Sequence, residues 1–229
     1  MSDPSRSTPL FDQLTALGAE WATWESGLVA RRLSAVEDEQ AQLGRLALCD
    51  LSCQPTRFLK GEGAASWLST HGVAVPLDIY ATVETPDGVR VVRSGSDEFL
   101  IESAPGQTSA LWPEVVLDGT ISSGFHLFDR QDAVFYLCGE QARDVLAQTC
   151  GIDWSTAAAN LLVMTRVAGV SCSILPTHAG GVACFQIRLD PTYALYLWDE
   201  LLTICRDLEG NAIGAEVLFP HWFQELSQN

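Results

Sequence analysis

The sequence predicts an α+β fold of two pseudo-repeated halves, each an antiparallel sheet with packed helices, and three observations carry that expectation. First, Phe58-Leu-Lys-Gly-Glu-Gly-Ala-Ala-Ser-Trp-Leu68 returns as Tyr136-Leu-Cys-Gly-Glu-Gln-Ala-Arg-Asp-Val-Leu146, with aromatic, Leu, Gly-Glu, Ala and Leu at the same offsets. Self-similarity at a fixed spacing is the mark of a repeated structural unit. Second, residues 78–101 read as three short strands divided by the turn signals Pro86-Asp-Gly88 and Ser94-Gly-Ser96, an antiparallel meander. Third, helices and hairpins are interleaved without a regular βαβ series, which argues for α+β with helices packed on antiparallel sheets.

In chain order, residues 1–7 form a polar tail and residues 8–215 the domain, with repeat halves at about 48–125 and 126–215. Thr8 and Pro9 are placed to cap and start a helix whose apolar face is Leu10, Leu14 and Leu17, and Gly18 ends it. Trp21 and Trp24 follow without a clear period, and Leu28 to about Leu48 favours helix. Leu48-Cys-Asp-Leu-Ser52 leads toward a strand at Thr56 to Lys60, and the doubled element then supplies a helix ending near Gly72. A Gly at each strand–helix turn accepts backbone angles that other residues avoid. Asp78 to Glu84, Val89 to Arg93 and Glu98 to Ile101 are the meander strands. Residues 103–128 are turn-rich, with a short strand at Glu114 to Leu117.

The second half repeats this order. Ala133 to Cys138 is a strand and Gln141 to Thr149 a helix closed near Gly151. Asp153-Trp-Ser155 has the form of a cap for a helix at Thr156 to Leu162. Met164 to Val170 and Ser171 to Leu175 are strands, and His178-Ala-Gly-Gly181 turns the chain into the strand Val182 to Leu189. Asp190 and Pro191 open the clearest helix, whose apolar stripe is Ala194, Leu197, Trp198, Leu201, Leu202 and Cys205. Residues 216–229 form an aromatic tail with Phe219, His221, Trp222 and Phe223, suited either to core packing or to docking on a partner.

The charge balance narrows function. Among 229 residues, 29 are acidic and 13 basic, for a formal net charge of −16, and Lys60 is the only lysine. Such a field repels phosphate backbones and anionic lipid, so nucleic acid and membrane surfaces are excluded as expected partners. No apolar run reaches transmembrane length, and the N-terminal residues lack a signal-peptide core, so the expected location is cytoplasmic. The seven cysteines are odd in number and mostly set in apolar patterns, as reduced, buried thiols would be. Cys49-x3-Cys53 has no second pair to complete a metal site, and His71, His126, His178 and His221 stand singly. There is no G-x-S-x-G, no G-x-G-x-x-G, no phosphate-binding G-x-x-x-x-G-K and no H-E-x-x-H. No residue is assigned a catalytic, cofactor-binding or metal-binding role.

Several patches in order resemble one superfamily, the glycine-cleavage T-protein (aminomethyltransferase) and its folate-binding relatives. They are Thr8-Pro-Leu-Phe-Asp-Gln-Leu-Thr-Ala-Leu-Gly-Ala19, Leu48-Cys-Asp-Leu-Ser52 with Arg57-Phe58 and the Gly61-to-Leu68 helix, and Phe185-Gln-Ile187 with Tyr193 to Leu202. Within it, Phe58 to Leu68, Gly72-Val-Ala-Val-Pro76 and Gly95-Ser-Asp-Glu-Phe-Leu100 look most like the gamma subunit family of heterotetrameric sarcosine oxidase. The resemblance implies the paired folate-binding domains of the T-protein without its C-terminal β domain.

The resemblance also shows departures. The transferases carry paired acids, one of them catalytic, on the second meander strand after a Gly; the run here is Gly88-Val-Arg-Val-Val92. A valine cannot exchange a proton. The family anchors a pterin with a Glu in a Gly-Glu turn, and here that turn is Gly181-Val182. The resemblance therefore implies a small non-catalytic subunit of a heteromeric sarcosine oxidase or related N-methyl amino acid oxidoreductase. Flavin and NAD would be held in partner subunits, and none would be bound by this chain alone, tetrahydrofolate being the one candidate ligand. The alternative is a stand-alone tetrahydrofolate-dependent aminomethyltransferase or demethylase, in which Asp78 or Asp87 replaces the displaced carboxylate. An accessory factor for iron–sulfur assembly would need a reactive Cys motif, and Cys205 lies instead on an apolar helix stripe.

Overall fold

A computed structural model describes residues 7–24, 27–86, 88–103, 124–156 and 160–226. The chain divides into two compact units, one of residues 1–53, 131–159 and 163–229, the other of residues 54–130 and 160–162. Each is built around one antiparallel sheet.

The first unit opens with helix α1 (Phe11–Ala16). Thr8 Oγ1 accepts the Leu10 N–H at 3.1 Å, two residues ahead of the helix. Leu10 and Leu14 are buried but Leu17 is not, because the helix ends with Gly18 at φ 88 before Leu17 can turn inward. The Trp-containing stretch is strand β1 (Glu20–Trp24), paired with β2 (Gly27–Arg32), so the helix expected from Leu28 is confined to α2 (Val36–Arg45). Val29 and Ala30 are successive buried residues, a two-sided burial that suits a strand packed between two cores. Three acids in the first turn of α2 complement its dipole.

Leu48 does not lead into the Thr56 strand. It lies in β3 (Ala47–Asp50), which pairs with a strand of the second sequence half, Ala133–Cys138, within the first unit's own sheet. The second unit continues with β4 (Thr56–Lys60), α3 (Ala64–Thr70) and the meander β5 (Thr82–Glu84), β6 (Val89–Gly95) and β7 (Glu98–Ser103). The first meander strand is shorter than expected because Tyr80, at φ 71, breaks the extended run. Gly88 sits at φ 76 in the turn between β5 and β6. The proposed strand at Glu114 to Leu117 lies outside the described residues. The sheet is completed by β8 (His126–Arg130), in the order β5-β6-β7-β4-β8.

Back in the first unit come β9 (Ala133–Cys138), α4 (Ala142–Thr149), β10 (Val163–Val167), β11 (Val170–Ala179) and β12 (Val182–Leu189). Asp153 Oδ1 accepts the Ser155 N–H at 2.9 Å, but no helix follows at Asn160 to Leu162, and residues 157–159 lie outside the described set. Asn160 is at φ 62, and Leu161 instead bridges Ala81 at the edge of the five-stranded sheet. The hairpin turn is Gly180-Gly181, at φ 58 and 80, with β11 running through His178 to reach it. Asp190 Oδ1 accepts the Thr192 N–H at 2.9 Å, capping a 3-10 turn (Pro191–Tyr193) that feeds α5 (Ala194–Asp207). All six residues of its predicted stripe are buried. β13 (Asn211–Ala212) pairs parallel with β3, and α6 (Pro220–Leu226) ends the described chain. This sheet runs β10-β11-β12-β9-β3-β13.

The doubled sequence is doubled in structure down to its hydrogen bonds. At the first copy Gly61 has φ 133, its N–H donates to Asp97 O at 2.9 Å, and the Gly63 N–H donates to Gly124 O at 3.3 Å. At the second copy Gly139 has φ 98, its N–H donates to Ala183 O at 3.2 Å, and the Gln141 N–H donates to Arg45 O at 3.0 Å. A side chain on Gly61 would stand 2.3 Å from Gly124 O, and one on Gly139 2.5 Å from Arg45 O. Both positions are closed to anything but glycine by the same backbone approach.

The compact units differ from the sequence halves 48–125 and 126–215 for one reason. The first strand of each half pairs in the sheet of the other: β3 beside β9, and β8 beside β4. Three apolar cores result. In the first unit one lies where α1, α4 and α5 cover the sheet, and a second takes in Trp24, Cys49, Tyr136 and Phe223. The second unit has a core of Leu59, Leu68, Val89, Val91 and Phe99. Trp222 and Phe223 are buried, with Trp222 4.9 Å from Trp24 between ring centroids, so the aromatic tail is core packing rather than a docking element.

Candidate functional site

Gly88-Val-Arg-Val-Val92, the run that the resemblance sets against an acidic strand, leads into the start of β6. Val89, Val91 and Val92 are all buried, the first two in the core of the second unit. Arg90 faces the other way, 3.7 Å from the carboxylate of Glu102 and 4.0 Å from that of Glu84. Strand alternation thus puts Val89 and Val91 on the core side and the ion-paired Arg90, with Val92, on the other. Asp78 is exposed in the loop before β5, its carbonyl accepting the Ala81 N–H at 3.1 Å. Arg93 pins that loop by donating to the carbonyls of Pro76 and Leu77, at 3.3 and 2.7 Å. Asp87 lies outside the described residues.

In the first unit the Gly180-Gly181 turn presses against Leu43 and Val217, and Val182 packs at the edge of the second core. A pterin ring needs a bidentate acceptor. An aliphatic side chain packed on Leu43's neighbours supplies none, so this turn does not fit the pterin that the resemblance implies.

Sequence reading missed the buried polar groups of this sheet. On β12, Phe185, Ile187 and Leu189 point into the helix-covered core, so Gln186 and Arg188 lie on the opposite face. Arg188 Nη1 is 3.1 Å from Asp132 Oδ2, with side-chain exposures of 7 and 9 %. Gln186 and Thr177 are buried on the same side. The signal was a period-two placement of Gln186 and Arg188 within an otherwise apolar strand. A buried ion pair with both charges matched can orient a polar group.

Two further buried carboxylates are structural. Burial raises the pKa of Glu39, opposed by the N–H groups of Leu33, Ser34 and Gly214 that it accepts at 2.6, 2.9 and 3.2 Å. Asp50 is likewise pushed up by burial, against hydrogen bonds from Ser52 and Thr8. Each locks a loop. Burial holds the Cys172 thiol up at about 11 and Cys205 at about 12, which makes both poor nucleophiles. Among the described residues, no three His, Cys, Asp or Glu side chains gather as a metal site. A shallow pocket of about 280 Å³ is lined by Arg166, Ser171, Asp190 and Tyr193, with the Asp190 carboxylate already engaged by Thr192. None of the described helices is long and apolar enough to cross a membrane.

Two sheets, each a strand–helix–meander completed by the other half's first strand, define the α+β fold of the aminomethyltransferases. Among solved structures, the chain is similar to the glycine cleavage system aminomethyltransferase T of Bartonella henselae: TM-score 0.72 and 18 % identity, over 92 % of this chain and 60 % of that one. It is also similar to a chain of the heterotetrameric sarcosine oxidase of Corynebacterium sp. U-96, with TM-score 0.58 and 17 % identity, over 72 % of this chain and 88 % of that one. At these identities the likeness is one of fold. The chain spans 60 % of the length of the aminomethyltransferase it matches. No family model and no curated protein sequence matches it.

Proposed function

We propose that this chain is a non-catalytic, gamma-like subunit of a heteromeric sarcosine oxidase or related N-methyl amino acid oxidoreductase, with a structural and assembly role. One observation carries the reading: where the resemblance calls for paired carboxylates, β6 has buried valines, Val89 and Val91 in the core and Val92 buried on the opposite face. A buried valine can neither polarise an amine nor take its proton. The fit of Val182 at the turn agrees, since no acceptor for a pterin stands there. The sarcosine oxidase chain supports the subunit role, because the two coverages mean that the matched chain is shorter than this one. In this reading flavin, NAD and folate chemistry belong to partner subunits, and the complex is cytoplasmic. The chain's contribution is shape and stability.

The test is tetrahydrofolate binding by the isolated chain, measured by titration calorimetry, beside purification of the tagged chain from its source cells. The reading expects no folate binding alone and co-purification of a protein with a flavin absorbance spectrum. Tight binding by the monomer would sink it and favour a stand-alone folate-dependent aminomethyltransferase or demethylase.

A further inference from the structure

The repeat places one cross-strand pair just before the Gly of each doubled element. In the five-stranded sheet that pair is Lys60 and Glu98, whose Nζ and Oε1 lie 2.6 Å apart. In the six-stranded sheet it is Cys138 and Cys184. The Gly139 N–H donates to Ala183 O, which makes Cys138 and Cys184 a non-hydrogen-bonded pair. Such pairs have Cα atoms about 4.5 Å apart and the closest side chains in a sheet, and a disulfide needs Cα atoms about 4.4–6.8 Å apart. Both side chains are buried in the second core of the first unit. Cys49 shares their core but faces Tyr136, a diagonal neighbour of Cys138 that is too distant to bridge. Cys172 faces Leu189, in the helix-covered core on the other side of the sheet.

We propose that Cys138 and Cys184 form a reversible dithiol–disulfide pair, a covalent tie at the position where the other repeat carries an ion pair. Cys184, itself buried, is the entry point because it lies two residues from the exposed end of the β11–β12 hairpin, and its Sγ contacts Val182 O at 3.5 Å. Cys138 is fully buried, and burial raises its thiol pKa well above the usual range, so it reacts second. With a small disulfide oxidant, the Cys184 thiolate attacks one oxidant sulfur and expels the first thiolate. The Cys138 thiolate then attacks Cys184 Sγ of the mixed disulfide and expels the second. Two protein S–H bonds become one S–S bond. The oxidant's S–S bond takes up the two electrons and two protons as two thiols. The closed tie joins β9 to β12 in mid-sheet and shortens the unfolded chain's freedom, which raises stability.

The test is native oxidation of the full chain with oxidised glutathione or diamide, followed by alkylation in denaturant, intact mass and peptide mapping. Expected are loss of two hydrogens, protection of Cys138 and Cys184 from alkylation, and a linked peptide pair whose fragments assign Cys184 rather than Cys172. Dithiothreitol should restore both thiols. The melting temperature should rise by roughly 5–10 °C in the oxidised form. Cys184→Ala should abolish the linkage and Cys205→Ala should leave it; should Cys184→Ala fail to fold, the wild-type map alone decides. Full alkylation of Cys138 and Cys184 after oxidation, linkage of either to another cysteine, or loss of the cooperative melt in the bridged form would overturn the proposal.

Discussion

Replacing Gly139 with alanine tests the structural identity of the two repeats. Two costs are separable. Positive φ alone costs a β-carbon about 1 kcal/mol, and Gly18 isolates it, with φ 88 and nothing within 4 Å of the added methyl. At Gly139 the φ of 98 brings the same cost, but the methyl also meets Arg45 O at 2.5 Å and Leu43 O at 2.9 Å. These are backbone atoms at the end of α2, so the methyl can be accommodated only by moving the chain that leads into β3. That movement strains the bonds from Gln141 N to Arg45 O and from Glu140 N to Gly44 O, 3.0 and 3.2 Å long. Overpacking adds about 1–3 kcal/mol, for a total of roughly 2–4 kcal/mol. In a chain of this size each kcal/mol is worth about 2–4 °C of melting temperature. Gly18→Ala should therefore lower it by about 2–4 °C and Gly139→Ala by roughly 5–15 °C. Gly61→Ala, whose methyl meets Gly124 O at 2.3 Å, should match Gly139→Ala. Thermal melts followed by circular dichroism decide this. If Gly139→Ala melts within about 1 °C of Gly18→Ala, inside the span of a single kcal/mol, the shared backbone approach is not what glycine serves.

Three other perturbations are accessible. Glu216 accepts from Arg31 at 2.9 and 3.0 Å, and both Arg32 Nε and Nη2 also donate to it. Burial alone would raise its pKa, but hydrogen bonds from Arg32 and Arg31 outweigh this and hold it at about 2. Since the folded value lies below the unfolded one, its stabilisation is full above about pH 4.5 and fades as pH falls toward 2. Glu216→Gln should cost roughly 1–2 kcal/mol at pH 7 after solvent screening; urea melts should show the gap to wild type closing as pH falls from about 4.5 toward 2, and a pH-independent gap would count against the ion pair. Arg188→Met removes the guanidinium paired with the buried Asp132 carboxylate and should cost about 3–5 kcal/mol; the double variant Arg188→Met, Asp132→Asn should recover much of that in the same urea assay. Trp222→Ala removes a buried ring packed at a tilt against Trp24 and should cost about 3–5 kcal/mol; a loss below about 1 kcal/mol would point back to a docking role for the tail.

The sequence by itself determined whatever rests on near neighbours. The doubled strand–turn–helix, the meander from β5 to β7 and the stripe of α5 were legible because period, turn residues and caps act within a few positions. So was the valine run at β6, since it is a matter of residue type. Tertiary structure alone decided which strands pair. Gly27–Arg32 is a strand because its partner Glu20–Trp24 and two cores claim it, although its residues tolerate helix. Leu48 and His126 belong to the sheets of the opposite halves because a sheet edge accepts whichever strand presents a matching face, however distant in the chain. The polar pair Asp132 and Arg188 was invisible for the same reason: fifty-six positions separate them, and only the packing of β12 brings the two charges together out of water.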